Sequence, residues 1–492
     1  MWCVAFLLGL VLALGQAPVS LPIGVFTSIP FLGYCASRTL SWKHAFGIGW
    51  WAGLGYFGLS MVWLIEPFLV EPEKFGILAP FALLAMSGGL ALFWGGAFAL
   101  SKQFSASLGR YIIGLAVAWA AMEYLRSVIF TGFPWGLLGY TWIKTPIAEW
   151  ASIVGPFGLT FITVFGVLLV LSFPSKRFVA PVLTVLFFAV LLFGGAWQIP
   201  NPQIQQQKNI RVRLVQPNAP QQQKWDPDWI GVFFRRALQL TSAPAKKPID
   251  LVIWPETTVP YMLQDNVADL QILSQAAGPH AQIVAGIRRL EGGKLYNSLI
   301  QLDQKGGLVA IYDKSHLVPF GEYVPFSQYL SALGFRGLAA NLQGFTPGGG
   351  PRTISTVGLP SYLPLICYEA IFPAAVNMGA DRPEFLLQIT NDAWFGNTLG
   401  PFQHLVQMQF RAIEQGLPAV RAANTGVSAV IDPYGRVLSR LKLNKAGFLD
   451  ADLPMPLTPT IYARFGDIPF LLLLLILGVS AKYVTFRLGK PD

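Results

Sequence analysis

Leu363-Pro364-Leu365-Ile366-Cys367-Tyr368-Glu369 is an apolar run that closes on a thiol and a carboxylate. Its first four residues read as a strand, which would deliver Cys367 at the strand end. The other cysteines, Cys3 and Cys35, lie in hydrophobic N-terminal segments, so Cys367 is the only one in the water-soluble part of the chain. A lone thiol at a strand end, with Glu and Lys in the same stretch, is a candidate nucleophile. Taken by itself, a buried structural cysteine is the commoner case.

Working outward, strand-like runs alternate with helical stretches. Ile210, Val212 and Leu214 alternate as a strand ending at Gln216-Pro217-Asn218. Trp229 to Leu240 reads as an amphipathic helix, and Asp250 to Trp254 as a buried strand ending at Pro255-Glu256. Gln282 to Ile287, Leu295 to Leu302, Phe385 to Ile389 and Val427 to Ile431 are further strands, the last followed by a turn at Asp432 to Gly435. Strands mixed with helices at this spacing predict a layered α/β domain. There is no CxxC, HExxH or phosphate-binding loop, so neither a metal nor a cofactor is expected.

The chain around this domain is of another kind. It has 492 residues, 53% hydrophobic and only 12% charged, against the usual quarter charged in soluble domains. The apolar residues are concentrated at the two ends. Eight segments approach the length that crosses a bilayer: 1–16, 20–37, 46–66, 77–100, 111–130, 151–173, 178–197 and 467–485. The expected organisation is a seven-span bundle over 1–197, an extracytoplasmic domain over 198–466, and a last span with a short tail over 467–492. Segment 1–16 lacks the positive n-region of a signal peptide and is read as a retained span.

Positive charge collects on alternate loops: Arg38 and Lys43, Lys102 and Arg110, Lys176 and Arg177, then Lys482, Arg487 and Lys490. That side is expected to be the cytoplasm, which puts both termini inside and the large domain outside. The net charge of +10 carries no dense basic run in the outer domain, so nucleic acid is not an expected partner. Glu123 and Arg126 lie three apart on one helix face within a span, where a buried ion pair orienting the helix is the plainer reading. Trp135 would be an interfacial anchor. Arg411 and Arg421 are read as partners of Glu414 and other carboxylates rather than as headgroup ligands.

Glu256, Lys314 and Cys367 follow or lie beside strand-like segments, where a rigid scaffold can fix side chains. Together they suit nucleophilic acyl transfer: a thiol that attacks, a carboxylate that takes its proton, a cation that holds the developing oxyanion. Each has an ordinary alternative, a capping Glu or a solvated Lys. His316, close to Lys314, keeps a Cys-His enzyme open as well.

Trp254-Pro255-Glu256, then Lys314 with His316 to Glu322 (HLVPFGE), then Cys367-Tyr368-Glu369, with Asn391-Asp392-Ala393-Trp394-Phe395-Gly396 downstream, in this order, resemble the nitrilase (carbon–nitrogen hydrolase) superfamily. With eight spans around such a domain, the chain resembles the bacterial apolipoprotein N-acyltransferase family over its whole length. The resemblance implies a polytopic α-helical membrane protein carrying an αββα sandwich. It assigns the base to Glu256, the lysine to Lys314 and the nucleophile to Cys367. Glu322, Tyr368, Glu369 and Trp225 match supporting active-site residues. It also implies a phospholipid acyl donor, a cysteine thioester, and the N-terminal amine of a diacylglyceryl-modified apolipoprotein as acceptor. The protein would be a monomer in the bacterial inner membrane. Both substrates keep their chains in the bilayer, since each CH₂ drawn into water costs about 0.8 kcal/mol. Leu330 to Phe345 is expected to be a mobile arm dipping toward lipid, and Asn391 to Gly396 with Gly400 to His404 to shape the pocket. Two rivals remain: a tethered amidase using water as acceptor, and an inert lipid-binding domain.

Overall fold

Apolar runs in the N-terminal part of the chain fold as helices, which satisfy every backbone polar group internally. In the computed structural model these are α1 (Trp2–Ala13), α2 (Ile23–Arg38), α3 (Trp42–Ser60), α4 (Ala79–Ser101), α5 (Leu108–Val128), α6 (Ala151–Leu168) and α7 (Val179–Gln198). The structure describes residues 1–172, 178–199, 206–264, 267–325, 344–377 and 381–483. Two compact units emerge, interleaved along the chain. The first comprises Met1–Gln203, Phe395–Gly416 and Thr458–Asp492; the second comprises Ile204–Trp394 and Leu417–Leu457.

In the first unit, small residues let helices approach closely. A methyl group at Gly9 of α1 would stand 2.0 Å from the Ala52 carbonyl oxygen of α3, and one at Gly55 would stand 2.1 Å from that of Phe6. Glu123 and Arg126 on α5 are buried with 3.9 Å between nitrogen and oxygen. Glu123 accepts from Thr160 Oγ1 at 2.6 Å, and Arg126 donates to the carbonyls of Phe133 and Trp135 at 2.6 and 2.7 Å. The pair therefore ties three segments together, as a structural ion pair would. Trp135 is not an interfacial anchor: it is buried, and its indole donates to Gln403 Oε1 at 2.7 Å.

Among the described residues three helical stretches are long and apolar enough to cross a membrane: Pro72–Phe104, Pro146–Leu171 and Val179–Gln198. A fourth arises if Trp42–Ser60 and Val62–Leu69, bent by 48°, form one span. The other segments read as spans are shorter or carry charge. Trp2–Ala13 and Ile468–Lys482 are short apolar helices, α2 has 16 residues, and α5 carries Arg110, Glu123 and Arg126. The chain stretch 395–416 contains α8 (Gly400–Gln415), which is almost wholly buried within this first unit.

The second unit is built on two sheets. The first has strand order β11-β1-β2-β3-β4-β5, with β1 at Gln206–Gln216, β2 at Leu251–Ile253, β3 at Gln282–Glu291, β4 at Lys294–Leu302, β5 at Leu308–Asp313 and β11 at Gly447–Pro454. The second has order β10-β9-β8-β7-β6, with β6 at Tyr362–Ile366, β7 at Phe385–Thr390, β8 at Ala419–Ala423, β9 at Ala429–Ile431 and β10 at Val437–Arg440. β2 shows why these runs are apolar throughout. Leu251 and Ile253 enter the core shared with Tyr362, Ile366 and Phe385 of the other sheet, while Val252 faces the opposite way, against Phe234, Leu270 and Leu273. Those last three belong to the helices Pro227–Thr241 and Val267–Ala277, which cover the outer face of the first sheet. β1, β2 and β3 run parallel, β4 turns back, and β5 turns again. β2 and β5 therefore run in the same direction, and their C-terminal ends lie on the same side of that sheet.

Candidate active site

Each candidate side chain stands just past a strand end. Glu256 follows β2 by three residues, Lys314 follows β5 directly, and Cys367 follows β6 directly. The backbone is strained at two of these points. Cys367 has φ 51° and Thr257, next to Glu256, has φ 47°, a region that costs a residue with a Cβ about 1–3 kcal/mol. The turn Cys367–Ile371 begins on that strained residue. Cys367 itself is buried at the margin of the core that the two sheets share.

Lys314 is buried, and its ammonium lies 2.9 Å from Glu322 and 3.5 Å from Glu256. Asn297 Nδ2 bridges the two carboxylates, at 2.7 Å from Glu256 and 3.0 Å from Glu322. Glu256 also accepts from the Asn391 amide at 2.9 Å, and Glu322 from the Val318 amide at 2.8 Å. Burial alone would lower the Lys314 ammonium, but Glu322, Glu256 and Cys367 outweigh it and raise it, so this lysine is a fixed cation. Burial pushes the Cys367 thiol up to about 12, and the Glu256 charge adds to this. Lys314 and a hydrogen bond with Thr390 act in the opposite direction. At neutral pH the resting site thus holds a thiol, and a base must take the proton as sulfur attacks.

Glu369 joins the nucleophile turn to the lysine strand. One carboxylate oxygen accepts from Tyr312 Oη at 2.8 Å, Ser315 N at 2.7 Å and Ser315 Oγ at 2.6 Å. The other accepts from Ile366 N at 2.8 Å. Its contacts thus flank Lys314 on one strand and Cys367 on the other. Burial raises its carboxyl, and these hydrogen bonds work against that. Tyr368 is buried beside Phe372, with ring centroids 5.1 Å apart. The His316 ring stacks on Phe372, with ring centroids 3.8 Å apart.

Trp225 is half-exposed beneath the Arg288 guanidinium, 4.2 Å from its ring centroid. Its neighbour Lys224 was not singled out by the sequence. It is buried, and its ammonium donates to the Glu256 carbonyl at 3.1 Å and to Thr257 Oγ1 at 2.7 Å, holding the strained turn behind the carboxylate. Asn297 was likewise missed, since nothing local marks an Asn within a strand as a bridge. Of the downstream segments, Asn391 to Trp394 belongs to the second unit with Glu256. Phe395, Gly396 and Gly400 to His404 belong to the first unit. Arg411 pairs with Glu414 and Arg421 with Asp392, as expected of ion pairs. Residues 330–343 of the proposed arm lie outside the described residues. Among the described residues no cluster of His, Cys, Asp and Glu suits a metal ion.

A thiol, a fixed cation and a hydrogen-bonded carboxylate just past strand ends of a two-sheet domain are groups suited to nucleophilic acyl transfer. The sequence matches the Carbon-nitrogen hydrolase family over residues 211–461 and the Apolipoprotein N-acyltransferase N-terminal domain over residues 8–169. It is 35% identical to the apolipoprotein N-acyltransferase of Rhodopseudomonas palustris, covering 95% of this chain and 92% of the relative. It is 37% identical to that of Caulobacter vibrioides, covering 98% and 95%. An amidase of Nesterenkonia sp. AN1 is similar at 21% identity and a TM-score of 0.37, over 52% of this chain and 94% of the amidase. The chain belongs to the apolipoprotein N-acyltransferase family.

Proposed function

We propose that this protein moves an acyl chain from a membrane phospholipid, through a thioester on Cys367, to the N-terminal amine of a diacylglyceryl-cysteine on an apolipoprotein. The observation that carries this reading is the match to named N-acyltransferases along nearly the whole chain, N-terminal region included. Cys367 Sγ attacks the ester carbonyl as Glu256 takes its proton. Lys314 and a backbone amide following Cys367 hold the oxyanion. The lysophospholipid oxygen leaves with that proton, and the thioester remains. The amine then attacks the thioester carbonyl, Glu256 accepts the amine's proton, and the thiol is re-formed as the amide departs. The ester and thioester carbonyls need no activation beyond this, because a thioester readily acylates an amine.

Glu322 keeps Lys314 in place, Glu369 couples the turn to the lysine strand, and Trp225 with Tyr368 lines the approach. About eight spans hold the protein in the bacterial inner membrane as a monomer. The Lys/Arg distribution supports an outward-facing hydrolase unit. Incubation with phospholipid and a diacylated lipopeptide tests the reading. The amide product is expected; free fatty acid as the only product would point to the tethered amidase.

A further inference from the structure

A second set of buried polar groups reaches Cys367 from β7 and β8. Arg421 on β8 is fully buried. Its guanidinium donates to Gln388 Oε1, to Asp392 Oδ2, and to the Val427 carbonyl at 3.2 Å. Gln388 in turn donates from Nε2 to the Cys367 carbonyl at 3.1 Å, at the residue whose φ is strained. Asp392 accepts from Thr390 Oγ1 at 3.0 Å, and the same hydroxyl hydrogen-bonds the Cys367 thiol. The wall around Asp392 is tight: a methyl group at Gly426 would stand 2.2 Å from its Oδ2.

One guanidinium is thus linked to Cys367 by two routes, to its carbonyl through Gln388 and toward its sulfur through Asp392 and Thr390. A buried carboxylate near a thiol opposes the thiolate, and Asp392 does so here. The Thr390 hydroxyl has one proton, which either Asp392 or the sulfur can receive. We propose that Arg421 is a positioning residue for Cys367. It fixes the strained turn through Gln388, and it neutralises Asp392 so that the Thr390 proton can turn to sulfur as negative charge forms there. This rests on the reading of Cys367 as the nucleophile. The charged and titratable groups acting on that thiol are Glu256 after β2, Lys314 after β5, Asp392 after β7, Lys224 ahead of the first helix of the second unit, and Tyr368 in its own turn.

The test is alkylation of Cys367 by iodoacetamide in the full-length protein in detergent micelles, with Cys3→Ser and Cys35→Ser so that one thiol reports. Below the thiol's own titration, the rate at any pH follows the thiolate fraction. Arg421→Met is expected to slow alkylation by about tenfold or more at each pH, a shift of at least about one unit. Adding Asp392→Asn to Arg421→Met removes the uncompensated charge and should bring the rate back to within about threefold of the parent. An unchanged rate in the single variant overturns the proposal, as does a double variant that stays as slow as the single one. If Arg421→Met does not accumulate as folded protein, Thr390→Val leaves the ion pair intact. It should still slow alkylation about tenfold, and an unchanged rate there overturns the proposal too. Alkylation reads the thiol whether or not acyl transfer occurs, so failure of the acyl-transfer reading leaves this comparison standing.

Discussion

Lys224 carries a charge that the fold resists. Burial lowers its ammonium to about 8, with Glu256 and Cys367 pulling the other way. A lysine in the unfolded chain titrates near about 10.4. Between about 8 and about 10.4 the unfolded chain holds the proton and the folded one releases it, so stability rises with pH by up to about 1.4 kcal/mol per unit. Below that window both forms are protonated, and the full cost of burying the charge remains. Thermal midpoints of the parent and Lys224→Met in detergent should therefore diverge in the parent's favour between about pH 8 and about pH 10. A difference that stays flat across that range contradicts the account. Lys224 and Asn297 escaped the sequence reading for one reason. Their partner Glu256 lies 32 and 41 residues away, and only the fold closes that distance. Glu256 and Cys367 stood out as candidates because each follows a run readable as a strand, whereas β5, which leads into Lys314, was not among the strands read.

At the scale of elements, strand ends set the positions, and β3 limits how the Glu256 turn can lie. A methyl group at Gly286 would stand 2.4 Å from Thr257 N, 2.6 Å from Glu256 Cα and 2.6 Å from the Pro255 carbonyl oxygen, all of them backbone atoms. Gly286→Ala should destabilise the protein by about 1–3 kcal/mol. It should also displace the carboxylate, lowering acyl transfer more than it lowers the amount of folded protein. Activity per folded molecule equal to that of the parent would show that the turn has more freedom than this. Runs rich in branched residues, such as β2, β6 and β7, were readable as strands. β8 was not, because Ala-Val-Arg-Ala-Ala is rich in helix formers and pairing with β7 decides its state. β11 was missed because Asp450 and Asp452 make it look like a loop. In the sheet they face Arg213 and Arg211 of β1 at 2.7 and 2.6 Å.

For the whole molecule, hydropathy separated an apolar N-terminal region from a mixed α/β stretch, but it could not see that the two units interleave. Helix Gly400–Gln415 lies between two strands of one sheet yet packs in the other unit. Its buried Gln403, Arg411 and Glu414 look polar until their partners are in place. The number of spans is less sharply marked, because short apolar helices and the charged α5 lie near the limits of length and composition. The step proposed for this molecule, acyl transfer to Cys367, can be weighed directly. After exposure to phospholipid without acceptor, intact mass should rise by one acyl chain. Hydroxylamine should remove the adduct, and Cys367→Ala should not form it. Absence of the adduct under conditions that support turnover, or its persistence in Cys367→Ala, would contradict the account.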